Sequence, residues 1–236
     1  MRRRRSSPPT PRRASGCWAS DVSAQRQPGP GASAPLLVVD GVEKRYARGL
    51  FNRQVTFSLA ASFAIEQPGI VGVMGPNGSG KTTLFELITG GNQPDAGRVL
   101  CAGRDIHQVR YRERDRLAIH YHQSYQVRHF KRRKPAFMLE PANNDYPLIH
   151  LFDEPQFNTQ DGYIGFMLDF FRKLKADGRL VFLCLHPTER YHLDILAEVC
   201  ERYLFVFRGA VSEAPDLATL AQDGRVREYL GNVLPQ

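Results

Sequence analysis

The sequence predicts an α/β fold: a mostly parallel sheet flanked by helices. Three observations carry this expectation. Apolar runs at 70–74, 148–152 and 180–185 have the length and composition of buried strands. Segments with helical spacing lie between them, and each run gives way to glycine or to polar residues. That is where strands of an open parallel sheet present side chains to a crevice.

Taken in chain order, residues 1–35 stand apart. They hold seven arginines against one aspartate, in a setting rich in Ser, Pro and Gly with few large apolar residues. This composition predicts a disordered basic extension. No apolar stretch follows the arginines, so a secretory leader is not expected. An Arg/Ser-rich organelle transit peptide and a start codon assigned too early are the other two readings. The net charge of +8 sits mainly there, leaving residues 36–236 with only +2. A basic nucleic-acid-binding domain is therefore not expected.

The folded domain is expected to span 36–236. Residues 36–39 read as a strand, and 54–65 alternate well enough for one or two more. Residues 82–89 read as a helix closed by Gly90-Gly91. Ile164, Met167, Leu168, Phe171 and Leu174 recur at helical spacing over 162–175, which Gly178 ends. Further elements are expected as a helix at 188–199, a strand at 203–207 and one or two short helices over 215–230. Cys17, Cys101, Cys184 and Cys200 are scattered without a C-x-x-C pair, which points weakly to a reducing compartment. No run of 18 apolar residues is present.

Between the 70–74 strand and the 82–89 helix lies Gly75-Pro76-Asn77-Gly78-Ser79-Gly80-Lys81-Thr82-Thr83. This is the P-loop pattern G-x-x-x-x-G-K-[ST], with strand and helix in the required places. Glycines let the backbone wrap a phosphate chain with its N–H groups inward, and the helix start adds its dipole. Lys81 is placed to reach the β- and γ-phosphates, and the Thr82 hydroxyl to hold Mg²⁺. The core is thus expected to be of the P-loop NTPase class.

The stretch 42–106 resembles the nucleotide-binding domain of the ATP-binding cassette (ABC) family. The resemblance rests on Tyr46 ahead of the strands, the P-loop, and the later Pro94-Asp95-Ala96-Gly97 and Gly103-Arg104-Asp105-Ile106. It extends through Gln123, Asp153-Glu154 and His186. It implies an antiparallel β subdomain on the N-terminal side of the sheet, that Tyr46 stacks on adenine, and that Gln123, the Q-loop residue, meets Mg²⁺ and the attacking water. Asp153 closes the Walker B strand and would hold Mg²⁺; Glu154 would act as general base; His186 would contact the γ-phosphate. His150 departs from the family's preference for an aliphatic residue and is expected to be a hydrogen-bonded core histidine.

A larger departure lies between Gln123 and Asp153. Only 29 residues intervene, none of them glycine, where the family carries a helical subdomain ending in an L-S-G-G-Q signature. That subdomain is expected to be missing or reduced, with a basic cluster of Arg128, Lys131, Arg132, Arg133 and Lys134 in its place. The D-loop at 156–161 is altered too. The resemblance implies an ATP-binding, ATP-hydrolysing transporter subunit that uses ATP and Mg²⁺. It would work beside a membrane-spanning subunit and a second ABC ATPase domain, a heterodimer being favoured, at the inner face of the membrane. Weak turnover is expected without a signature-bearing partner. The alternatives are a nucleotide-sensing subunit that does not hydrolyse, and a soluble ABC ATPase outside transport.

Overall fold

The fold is described from a computed structural model, which describes residues 34–49, 54–121, 147–155 and 163–234. The chain divides into units 1–32 and 33–236, and the described residues belong to the second. The N-terminal extension, Gln123, the basic cluster at 128–134 and the D-loop at 156–161 lie outside the described residues.

Ten strands form one sheet: β1 (Leu37–Arg48), β2 (Gln54–Ile65), β3 (Gly69–Met74), β4 (Ala96–Cys101), β5 (Arg104–Asp105), β6 (Ala118–Tyr121), β7 (Ile149–Asp153), β8 (Leu180–Cys184), β9 (Arg202–Phe207) and β10 (Ala210–Ala214). Their spatial order is β5-β4-β1-β2-β10-β9-β3-β8-β7-β6. The half β9-β3-β8-β7-β6 is parallel throughout. The other half is antiparallel except where β10 meets β2. The expected antiparallel section is therefore part of the main sheet. It is joined there by the parallel pair Ala210↔Ala60 and by Ala60 N–H donating to Gly209 O at 2.7 Å.

Among the described residues the α-helices are α1 (Lys81–Ile88), α2 (Tyr111–Leu117), α3 (Tyr163–Ala176), α4 (Arg190–Val199), α5 (Leu217–Leu220) and α6 (Gly224–Leu230). Alternation along the central strands divides the core between two faces, because successive side chains point to opposite sides. On β3, Val71 and Val73 pack with Leu84, Phe85, Leu87 and Ile88 of α1. Ile70 and Met74 face the other way, toward Phe171 of α3 and Leu196 of α4. On β8, Leu180, Phe182 and Cys184 join the first face, and Val181 and Leu183 the second. Buried on both faces, these strands carry continuous apolar runs, which is why they stood out in the sequence.

The structure extends the sequence reading at 37–48 and at α2, and agrees with it at 54–65 and at His150. Residues 37–48 form one long strand, longer than the expected 36–39, with register shifts against β2 between Val39 and Val42 and between Tyr46 and Ala47. Residues 54–65 are a single strand. Helix α2 carried no periodic signal: its sequence is YRERDRL and only Leu117 is buried. His150 is a core residue, 1% exposed. Its Nε2 lies 3.1 Å from Pro147 O and its Nδ1 3.1 Å from the Tyr121 hydroxyl. A carbonyl only accepts, so Nε2 carries the proton and Nδ1 accepts from Tyr121.

Candidate nucleotide site

The C-terminal ends of β3, β8 and β7 lie side by side, since Val73 pairs with Cys184 and Cys184 with Asp153. All six residues of β3 are buried, and the chain leaves it through a tight loop. At Gly75 φ is +150°, and a Cβ there would stand 2.0 Å from Val206 O, so only glycine fits. Gly80, with φ +113°, caps α1 without a side-chain hydrogen bond. The first-turn N–H groups of α1 thus have no side-chain cap, which makes the helix start a place for an anion.

Lys81 is 6% exposed. Its Nζ donates to Gly75 O at 2.7 Å and to Pro76 O at 3.1 Å, so the ammonium spans the loop it follows. The Ser79 hydroxyl is buried without a hydrogen-bond partner among the described residues. A buried hydroxyl lacking a partner costs about 1–3 kcal/mol, and an oxyanion in the loop would satisfy it. Thr82 Oγ1 donates to Asp153 Oδ2 at 3.0 Å. His120 Nε2 lies 3.3 Å from that same oxygen. Burial acts to raise the Asp153 carboxyl; hydrogen bonds from His120, Thr82 and Cys184 outweigh it and hold it below the usual carboxylate range. The side chain is therefore an anion facing a hydroxyl, and this pair of oxygen donors suits a hard divalent cation.

Glu154 follows β7 with φ +49°, a left-handed conformation that costs a non-glycine residue roughly 1–2 kcal/mol. Its N–H is held by Cys184 O at 3.0 Å. That turn brings Glu154 to the cleft of about 240 Å³ that it lines with Phe57, Asn77, Gly78, Gly80, Lys81, Thr82 and Thr83.

The other expected residues sit differently. Tyr46 is 37% exposed; its hydroxyl accepts from Asn92 Nδ2 at 2.6 Å. It is the cross-strand partner of Phe57, with ring centroids 6.1 Å apart, and it is Phe57 that reaches the cleft. His186 follows β8 at the same sheet edge, but its Nδ1 is engaged at 2.7 Å by the Tyr229 hydroxyl. Tyr229 also receives the Gly75 N–H, and burial pushes its phenol up. Sequence reasoning missed Phe57, His120 and Tyr229. Only His120 had a signal available, its place near the end of the strand beside Asp153.

The ABC transporter family model matches residues 59–161, somewhat under half of the chain. That segment is similar to the ATP-binding cassette family. It is 35% identical over 96 residues to Nod factor export ATP-binding protein I of Ralstonia nicotianae, covering 40% of this chain and 28% of that protein. It is 36% identical over 70 residues to doxorubicin resistance ATP-binding protein DrrA of Mycobacterium tuberculosis, covering 30% of this chain and 20% of the relative. It is 40% identical over 72 residues to energy-dependent translational throttle protein EttA of Escherichia coli K12, covering 30% and 12%. The matched part thus spans less than a third of the length of each of these relatives. The fold is similar to that of a bacterial Atm1-family ABC exporter with ATP bound, with TM-score 0.63, 19% identity, and coverage of 88% of this chain and 44% of that one. It is similar as well to an ATP-binding cassette of an ABC transporter in its ADP conformation, with TM-score 0.60, 18% identity, and coverage of 84% and 99%. The matched segment contains both 75–83, the P-loop pattern, and 149–154, the strand end expected to be Walker B.

Proposed function

We propose that the chain binds MgATP and hydrolyses it as the ATP-binding subunit of an ABC-type transporter, acting on a separate membrane-spanning subunit. One observation carries this reading. Lys81, Thr82 and Glu154 line one cleft, the Thr82 hydroxyl there donates to Asp153, 71 residues further on, and the buried Ser79 hydroxyl of the same loop has no hydrogen-bond partner among the described residues.

The backbone of 75–83 and the start of α1 hold the phosphates, and Lys81 turns from Gly75 O and Pro76 O to the γ-phosphate. Thr82 Oγ1 and Asp153 Oδ2 hold Mg²⁺, which neutralises charge on the phosphate oxygens when bound. Glu154 accepts a proton from water as that water's oxygen bonds to the γ-phosphorus and the bond to the ADP oxygen breaks. Gln123 orients that water, and His186 leaves Tyr229 to contact the γ-phosphate. Tyr46, with Phe57 beside it, forms the aromatic wall for adenine. A second cassette, in a heterodimer, supplies the signature that this chain lacks, at the inner face of the membrane. No helix among the described residues is long and apolar enough to cross a membrane.

The similarity to EttA favours a second reading, a soluble ABC ATPase outside transport. Co-purification with a membrane protein rather than with ribosomes separates the two. Titration of a fluorescent ATP analogue tests the site itself. Lys81→Ala removes the cation at the phosphates and is expected to weaken binding at least tenfold, about 1.4 kcal/mol; unchanged affinity in a folded variant overturns the assignment.

A further inference from the structure

His120 stands outside the residues given a role above, yet it touches the centre of the site. Its Nε2 lies 3.3 Å from Asp153 Oδ2, and Thr82 Oγ1 lies 3.0 Å from the same atom. The three side chains come from β6, β7 and α1, elements fixed by the sheet register and by the core. The imidazole is 14% exposed. It packs edge-on against Phe85, with centroids 5.5 Å apart and planes at 89°. One buried carboxylate oxygen thus has a hydroxyl oxygen on one side and an imidazole nitrogen on the other. Adjacent ligands about 2.1 Å from an octahedral cation are about 3 Å apart, close to both spacings.

We propose that His120 Nε2 joins Thr82 Oγ1 and Asp153 Oδ2 in a mixed nitrogen–oxygen site for a divalent cation, and that it biases this site from Mg²⁺ toward borderline first-row ions such as Mn²⁺ and Co²⁺. This rests on the nucleotide-site reading above. An all-oxygen set favours Mg²⁺, whereas imidazole favours the later first-row ions. As a ligand His120 is neutral, with its proton on Nδ1 and the Nε2 lone pair toward the cation.

The test uses the full chain with Mn²⁺ and ADP, read by pulsed electron paramagnetic resonance. Phosphorus-31 coupling reports that Mn²⁺ sits on the bound nucleotide; nitrogen coupling of imidazole type reports the histidine. Both are expected in the unmodified chain, and labelling its histidines with nitrogen-15 should convert the nitrogen signal without altering any residue. In His120→Phe the nitrogen signal should vanish while the phosphorus signal stays. The ratio of Mn²⁺ to Mg²⁺ affinity in the ADP complex should fall at least about tenfold. Phosphorus coupling without imidazole nitrogen overturns the inference and leaves the proposed function standing. Nitrogen coupling that survives His120→Phe overturns it as well, since another residue is then its source. Absence of phosphorus coupling overturns the nucleotide-site reading, and this inference with it.

Discussion

At Asp153 and Glu154, adjacent residues have opposite surroundings. Asp153 is buried against Thr82 and His120, while Glu154 turns through a left-handed backbone into the cleft. Glu154→Gln keeps the shape and removes the proposed base, so ATP should bind and persist unhydrolysed. Asp153→Asn should instead flatten the Mg²⁺ dependence of binding. Retention of radiolabelled ATP and a Mg²⁺ titration distinguish them; loss of binding in folded Glu154→Gln argues against the base role. His150 gives a prediction of another kind. Burial lowers it from its ordinary value near 6.5 to about 4, opposed by its hydrogen bond to Pro147 and aided by the Arg179 charge. Between those values the unfolded chain holds a proton that the folded chain lacks, so stability falls as pH drops from 6.5 toward 4. From pH 6.5 to pH 5 this residue should account for a loss of about 2 kcal/mol. Urea denaturation at the two pH values should show a smaller difference in His150→Phe; an equal difference there removes His150 as the cause.

At the scale of elements, the β9–β10 turn binds the two halves of the sheet. Gly209 N–H donates to Ser79 O at 2.9 Å, and Gly209 O accepts from Ala60 N–H. One residue therefore ties the phosphate-loop candidate to β2. It has φ +79°, and a Cβ would stand 1.7 Å from Ser58 O. Gly209→Ala should destabilise the fold by about 2 kcal/mol or more, and the damage should reach the cleft through Ser79. Thermal denaturation with and without nucleotide measures both effects. A variant with unchanged melting temperature and affinity would show the turn to be dispensable. Nothing in the Arg208-Gly209 turn announced this role in the sequence, because a turn residue and a cross-sheet link have the same composition.

At the scale of the molecule, the missing signature governs the expected turnover. Charge on the transferring phosphoryl group needs donors that no segment between Gln123 and Asp153 offers as L-S-G-G-Q. Lost donors of that kind cost about 10²–10³ in rate each. The isolated chain should therefore hydrolyse saturating MgATP close to background, and a signature-bearing cassette should raise the rate steeply. Glu154→Gln should abolish the gain at the site this chain contributes. Several turnovers per second from the isolated protein would refute the need for a partner; neutralising Arg128, Arg132 and Arg133 would then locate the charge.

The sequence by itself determined the fold class, the parallel strands and the segments 75–83 and 149–154. Local rules dictate all of these. Strands buried on both faces must be apolar throughout, and a loop such as that at Gly75 tolerates no Cβ. The tertiary structure alone decided which side chains meet. His120 reaches Asp153 because β6 pairs with β7 in one register. Tyr229 reaches His186 from a helix 43 residues further on. Phe57, and not its partner Tyr46, fills the edge of the cleft. Such contacts depend on register and on packing between distant elements, and no spacing within one segment encodes them.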